Sequence, residues 1–315
     1  SSAASDVYKR QKQKRVLPVL AAFAGVFTPA IVYYFAAGYM PEFRHGWGIP
    51  TATDIAFAIG VITMLGNMVS PAMKAFLAAL AVIDDLIAIV VIALFYGAGV
   101  NFMDLIAAAA VTGLLVYTNK QGYLRPLPYC VLGLVLWYLV LKSGVHATIA
   151  GVVLAMTIPF KGKVLDKVVY PMEEWAHALK NWVNFFIIPL FSFLNAGVSF
   201  ADFSMENLFH PVIIGVSLGL ILGKQLGIFS AVYILVQSKA IKMPTNTTWP
   251  EIYGTAILCG IGFTMSLFVA TLAFPPGITQ EMAKVGIFIG SIVAGLLGAV
   301  VLTLAYQIRK MRGKI

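Results

Sequence analysis

The chain has 315 residues, is 60% hydrophobic and only 11% charged, and carries 22 Lys and Arg against 13 Asp and Glu, for a net charge of +9. A soluble domain carries about 25% charged residues, so the composition argues against a water-soluble protein. The basic residues fall between hydrophobic runs, as topology signals do, and form no nucleic-acid-binding patch.

Residues 1–15 are polar and basic and lack the apolar core of a signal peptide. They read as a cytoplasmic leader whose first eleven residues are foreign to a truncated chain, or alternatively as a native basic tail. A crossing needs about 20 apolar residues. That rule places ten spans near 16–37, 42–64, 71–96, 102–118, 127–141, 144–159, 178–197, 212–236, 252–274 and 282–307, the fifth and sixth being short. The spans are rich in Gly and Ala, as close helix contacts require, and none alternates as a membrane barrel strand does. Cys130 and Cys259 each lie in an apolar segment and read as packed thiols. The expected fold class is all-α, a polytopic membrane helix bundle.

The loops test this count. Lys9, Arg10, Lys12, Lys14, Arg15, Lys74, Lys120, Arg125, Lys161, Lys163, Lys167, Lys239, Lys242, Arg309, Lys310, Arg312 and Lys314 fall on alternate connections. The other connections hold Glu42, Asp104, Asp202, Glu206 and Glu281, with Arg44. The positive-inside rule then puts both termini, including the tail 308–315, in the cytoplasm.

Few ionisable residues remain at membrane depth: Asp54, Asp84, Asp85, Lys224 and Lys284, with Lys142 and His146 near a span end. Asp84 and Asp85 stand in the middle of an apolar run, where each carboxylate costs roughly 2.5–3.5 kcal/mol on insertion scales. Such a pair reads as a cation or proton site, or alternatively as salt-bridged structural carboxylates. Adjacent helix residues point about 100° apart, so one aspartate can hold Lys224 while its neighbour faces a water-filled cavity. Lys284 is expected to snorkel to the span end.

Two spans look interrupted. Asp54 follows Pro50, Thr51 and Thr53, which reads as a broken helix or as a proline kink with a capping aspartate. Gly260 and Gly262 allow unwinding without a steric penalty, or alternatively serve small-residue packing. Each interrupted span is the middle one of three, in 16–96 and in 212–307. Such paired interruptions mark the binding site between inverted-topology repeats, each with one discontinuous helix.

The runs TATDIAFAIG at 51–60, FLAALAVIDDLIAIVVIALFYG at 76–97, LKSGVHATIAG at 141–151, PLFSFLNAGVS at 189–199, LGKQLGI at 222–228 and LCGIGFTMSLFVATLAF at 258–274 carry a resemblance. They resemble bacterial sodium/proton antiporters of the NhaA type, from about residue 14 to 307. The resemblance implies twelve spans, of which these would be the third to the twelfth. It also implies a family homodimer paired through a hairpin between the first two spans, which this chain is expected to lack. It makes Asp84 and Asp85 the ion-exchanging carboxylates that bind Na+. It places Thr53 and Asp54 at the crossing of the broken helices, where Asp54 suits the positive helix ends and Lys224 the negative ends, and it pairs Lys224 with an aspartate. His146 matches a position linked to pH response, though an interfacial hydrogen-bonded histidine would look the same. The segment from Lys161 to Glu174, with His177, looks like the cytoplasmic entrance, or only a solvated loop.

The implied function is electrogenic exchange of Na+ or Li+ for H+ across the inner membrane, in contact with membrane lipid, for sodium and pH homeostasis. The reading expects no cofactor, no catalytic residues and no enzyme activity, since no nucleophile–base pair or metal-ligand spacing stands out. The alternatives are a sodium-coupled organic-anion symporter of similar fold and an inactive fragment.

Overall fold

A computed structural model describes residues 2–97, 99, 101–164, 167–197, 205–244 and 247–311. Asp202, Arg312 and Lys314, and the last two residues of the 189–199 motif, lie outside the described residues. In chain order the helices are α1 (Ser2–Tyr33), α2 (Ile55–Met64), α3 (Pro71–Phe95), α4 (Phe102–Lys120), α5 (Pro126–Lys142) and α6 (Thr148–Thr157). A short antiparallel hairpin follows, β1 (Gly162–Val164) and β2 (Lys167–Val169), with Gly162 opposite Val169. Then come α7 (Pro171–Trp182), α8 (Ile188–Asn195), α9 (Pro211–Leu218), α10 (Lys224–Gln237), α11 (Trp249–Leu258), α12 (Phe263–Ala273) and α13 (Ile278–Met311).

Among the described residues, six stretches are long and apolar enough to cross a bilayer: Val16–Gly38, Arg44–Met64, Pro71–Phe95, Phe102–Lys120, Pro211–Gln237 and Ile278–Met311. The pair α11 and α12, bent by 44°, makes a broken seventh. Three expected spans are shaped differently. The fifth is the shorter helix α5, and within 144–159 only Thr148–Thr157 is helical. At 1.5 Å per residue α6 rises about 15 Å, half the roughly 30 Å apolar core. The turn at Ser143 and Gly144, where φ is +79° at the glycine, uses up the first residues of that span. The seventh begins early, at Pro171, and runs through a π-helical stretch, Val183–Ile187, into α8. Its start carries Glu173 and Glu174 in the first turn and Lys180 in the last, which suits the helix dipole but is too polar for lipid. The expected loop from Lys161 holds the β-hairpin.

The chain divides into two compact units, residues 1–88 with 192–315, and residues 89–191. The second unit closes over Leu115, Tyr129, Leu136, Val140 and Ala150. There the ring of Tyr129 meets that of Trp175 edge-on at 5.6 Å. Pro126 opens α5, where a missing N–H costs nothing, and the Asn101 side chain caps α4 by accepting the N–H of Met103.

The first unit is built on α1, α3, α10, α11 and α13 around Leu17, Ile62, Met73, Leu77, Leu80, Ile228, Ile257 and Leu302. It repeats one pattern, a long helix, a broken one and a long one, over α1 to α3 and again from α9 to α13. Phe27, Phe35, Leu94, Phe102, Leu134 and Leu296 point outward and are exposed. A water-soluble domain rarely carries so much exposed apolar surface, whereas a membrane bundle presents it to lipid. The molecule is thus an all-α polytopic membrane bundle.

Candidate ion-binding site

The first broken span starts as a 3-10 helix, Arg44–Thr51, with Pro50 near its end. Proline supplies no N–H with which a helix could continue through it. Beyond Thr51 the backbone is extended at Ala52 and Asp54 before α2 begins. The second breaks between Leu258 and Phe263. Gly260 and Gly262 lie in this break, but neither has a positive φ. A Cβ at Gly260 would stand 2.4 Å from the carbonyl oxygen of Leu220. One at Gly262 would stand 2.2 Å from Ser266 Oγ and 2.9 Å from Leu220 Cδ2. These glycines stand in the unwound segment and let Leu220 press close against it.

The two breaks bond to each other. Asp54 donates its N–H to the carbonyl of Ile261 at 2.6 Å, and Thr53 Oγ1 lies 2.9 Å from the carbonyl oxygen of Cys259. These contacts meet the carbonyl end of α11. The amide ends are met by acceptors. Asp54 Oδ1 takes the N–H of Phe57 at 3.1 Å, while Oδ2 takes the N–H of Thr264 at 2.9 Å and its hydroxyl as well. Ser291 Oγ on α13 takes the N–H groups of Gly262 and Phe263 at 3.2 and 3.1 Å. Ser266 donates to the carbonyl of Ile49 at 2.7 Å. Broken helices inside a bilayer require this, because a free backbone group finds no water there.

Asp84 and Lys224 form an ion pair in which both side chains are fully buried. Thr53 Oγ1 lies 2.7 Å from the paired oxygen, Asp84 Oδ2. The other oxygen, Asp84 Oδ1, and Asp85 Oδ1 are buried and accept no hydrogen bond from the described residues. Such atoms cost free energy unless a cation or proton satisfies them.

Lys224 reaches this place because the stretch from Gly219 into α10 lies unusually close to α1 and to Pro50. A Cβ at Gly219 would meet Pro50 Cβ at 2.6 Å, one at Gly223 would meet Pro29 Cα at 2.5 Å, and one at Gly227 would meet the Ala24 carbonyl oxygen at 2.3 Å. Glycine at every fourth position gives a smooth helix face. A π-helical turn, Gly219–Gly223, leads directly into Lys224.

Of the residues singled out in the sequence, Thr53, Asp54, Asp84, Asp85, Lys224, Gly260 and Gly262 fall in or beside this arrangement. His146 belongs to the other unit, where its Nε2 lies 2.8 Å from the carbonyl oxygen of Tyr96. Lys284 does not snorkel. It is 9% exposed, donates to the carbonyl of Gly197 at 2.8 Å and pairs with Glu281 at 3.1 Å. Sequence reasoning passed over Thr264, Ser266, Ser291 and the glycine face of α10. The last left a readable signal, three glycines spaced by four.

A family model described as Na+/H+ antiporter 1 matches residues 9–302. A Na(+)/H(+) antiporter NhaA of Caulobacter vibrioides is 47% identical over 292 residues, covering 92% of this chain and 71% of the relative. One of Mesorhizobium japonicum is 48% identical, covering 93% and 74%, and one of Pseudomonas putida is 47% identical, covering 95% and 77%. Two broken helices bonded through their breaks, a buried aspartate–lysine pair beside them and this identity along nearly the whole chain agree: the protein belongs to the Na+/H+ antiporter 1 family.

Proposed function

We propose that this protein is a secondary antiporter exchanging Na+, and also Li+, for H+, and that the two cations compete for Asp84 and Asp85. The observation that carries the reading is the pair of buried carboxylate oxygens, Asp84 Oδ1 and Asp85 Oδ1, that accept no hydrogen bond from the described residues. A hard cation takes oxygen ligands, and Thr53 Oγ1 and the Cys259 carbonyl lie alongside. Ionised carboxylates take the metal cation; protonation of the same oxygens expels it. Lys224 holds one of the two charges while the site is without Na+, which lowers the cost of two adjacent buried anions.

The two triplets, 16–96 and 212–307, act as the inverted repeats. Rocking of one bundle against the other exposes the site to each side in turn. Both termini lie in the cytoplasm and the protein sits in the inner membrane in contact with lipid, a reading supported by the basic residues on alternate connections. The cycle is electrogenic, with more than one proton per sodium.

The test is a Na+ pulse applied to proteoliposomes containing a pH-sensitive dye and no organic solute. Wild type should move protons against Na+, and Asp84→Asn and Asp85→Asn should each abolish the signal at normal expression. Retained exchange in both single variants removes the aspartates from the site. Na+ uptake that waits for an added organic anion and moves no proton favours a symporter.

A further inference from the structure

Glu251 is a buried carboxylate that takes no part in the crossing. It stands in the first turn of α11 and is 2% exposed. Its Oε1 accepts the N–H of Ser70 at 2.7 Å, and its Oε2 accepts from Arg309 Nη1 at 3.3 Å. Ser70 immediately precedes α3, and its hydroxyl accepts the N–H of Met73 at 3.3 Å. Arg309 lies in the last turn of α13. One side chain therefore ties the starts of two helices to the end of a third.

All three helices also contribute to the site. The chain of α3 carries Asp84 and Asp85, the carbonyls of Cys259 and Ile261 follow the end of α11, and α13 carries Ser291. Helices are stiff. From Ser70 the chain rises about 21 Å to Asp84, and from Glu251 about 12 Å to Cys259. A change of spacing at the clamp is carried along both rods to the point where Thr53 lies between Asp84 and Cys259. The carboxylate also suits its place, because a negative charge is favourable in the first turn of a helix. Both of its oxygens are used, so the carboxylate needs no further partner to hold the three ends together.

We infer that Glu251 is a positioning residue for the cation site. It sets the spacing of α3 against α11 and α13 at their far ends, and so the fit of the oxygen cage around the transported ion. This inference rests on the reading of Asp84 and Asp85 as the cation ligands.

The test measures Na+-dependent exchange in proteoliposomes, together with the melting temperature of each variant. Glu251→Ala removes both bonds, Glu251→Gln keeps an acceptor for Ser70 but not the charge, and Arg309→Lys keeps the charge. The apparent KM for Na+ should rise roughly three- to tenfold in Glu251→Ala, below the range seen when an outer-shell partner of a metal ligand is lost outright. The rise should be smaller in Glu251→Gln and absent in Arg309→Lys, with the maximal rate per folded molecule changed less than about twofold. A role confined to holding the fold would lower the melting temperature and the active fraction and leave KM alone. An unchanged KM in Glu251→Gln and Glu251→Ala therefore overturns the proposal. If Glu251→Ala does not fold, Glu251→Gln decides by the same criterion. Wild-type protein that exchanges no Na+ for H+ overturns the transport reading, and the clamp as a device for the cation site with it.

Discussion

The hydroxyl of Thr53 lies between two oxygens, 2.7 Å from Asp84 Oδ2 and 2.9 Å from the carbonyl of Cys259. A hydroxyl has one proton to give. With Asp84 ionised it serves either the carboxylate or the carbonyl at the end of α11; with Asp84 protonated, the acid can donate to Thr53 and Thr53 to Cys259. Thr53→Val should therefore leave at least one buried acceptor unmet and lower stability by about 1–3 kcal/mol, with exchange reduced. Thr53→Ser should restore both. Equal melting temperatures for Val and wild type would show that the hydroxyl carries neither bond.

Breaking a buried ion pair by removing one partner typically costs 3–5 kcal/mol, because the other charge stays buried. Lys224→Ala should approach that loss, and Lys224→Arg should be the mildest replacement, since it keeps the charge. Thermal melts in one detergent check this. A Lys224→Ala protein as stable as wild type would mean that the Asp84 pair contributes nothing net.

The close approach of α10 to α1 predicts a contrast between glycines. Gly223→Ala places a methyl 2.5 Å from Pro29 Cα, a backbone atom that cannot turn aside. Overpacking of this kind costs about 1–3 kcal/mol. Gly113 in α4 has nothing within 4 Å of an added Cβ. There alanine should be neutral or stabilising by up to about 1 kcal/mol through helix propensity. Gly223→Ala should lower the melting temperature and Gly113→Ala should not; equal falls contradict the packing account.

His210 caps α9, its Nδ1 accepting the N–H of Val212 at 3.3 Å, and its ring meets Phe43 edge-on at 5.1 Å. Burial holds its pKa below the ordinary 6.5, with the Glu42 carboxylate pulling the other way. Protonation also removes the lone pair that caps the helix. The unfolded chain thus binds more protons than the folded one just below pH 6.5, so stability falls as pH falls through that value. His210→Asn caps without titrating. Its melting temperature should fall less than that of wild type between pH 7 and pH 5, and identical slopes would discount the histidine.

The legible parts of this fold were those whose cost is local. A carboxylate in an apolar run is expensive wherever its partner lies, so Asp84 and Asp85 stood out, and Pro50 removes a backbone donor whatever surrounds it. The parts that stayed hidden depend on pairings across the chain. Nothing near Ser291 shows that it caps a helix 28 residues earlier, and nothing near Thr264 shows that it serves Asp54, 210 positions away. Gly260 and Gly262 leave unwinding and close packing equally open in the sequence, because the side chain that presses on them, Leu220, comes from another part of the chain. The sixth helix is shorter than its apolar run because hydropathy does not register a turn at Gly144.

The π-helical turn ahead of Lys224 ties the bearing of that ammonium to chain length. A π turn accommodates one residue more than an α turn would. Wound as a regular α-helix with every residue kept, Gly219–Gly223 would swing everything after it by about 100°. The lysine would remain in the sequence, in the same apolar run with the same neighbours, yet face away from Asp84. The ion pair therefore depends on the turn that absorbs one residue as much as on the lysine itself.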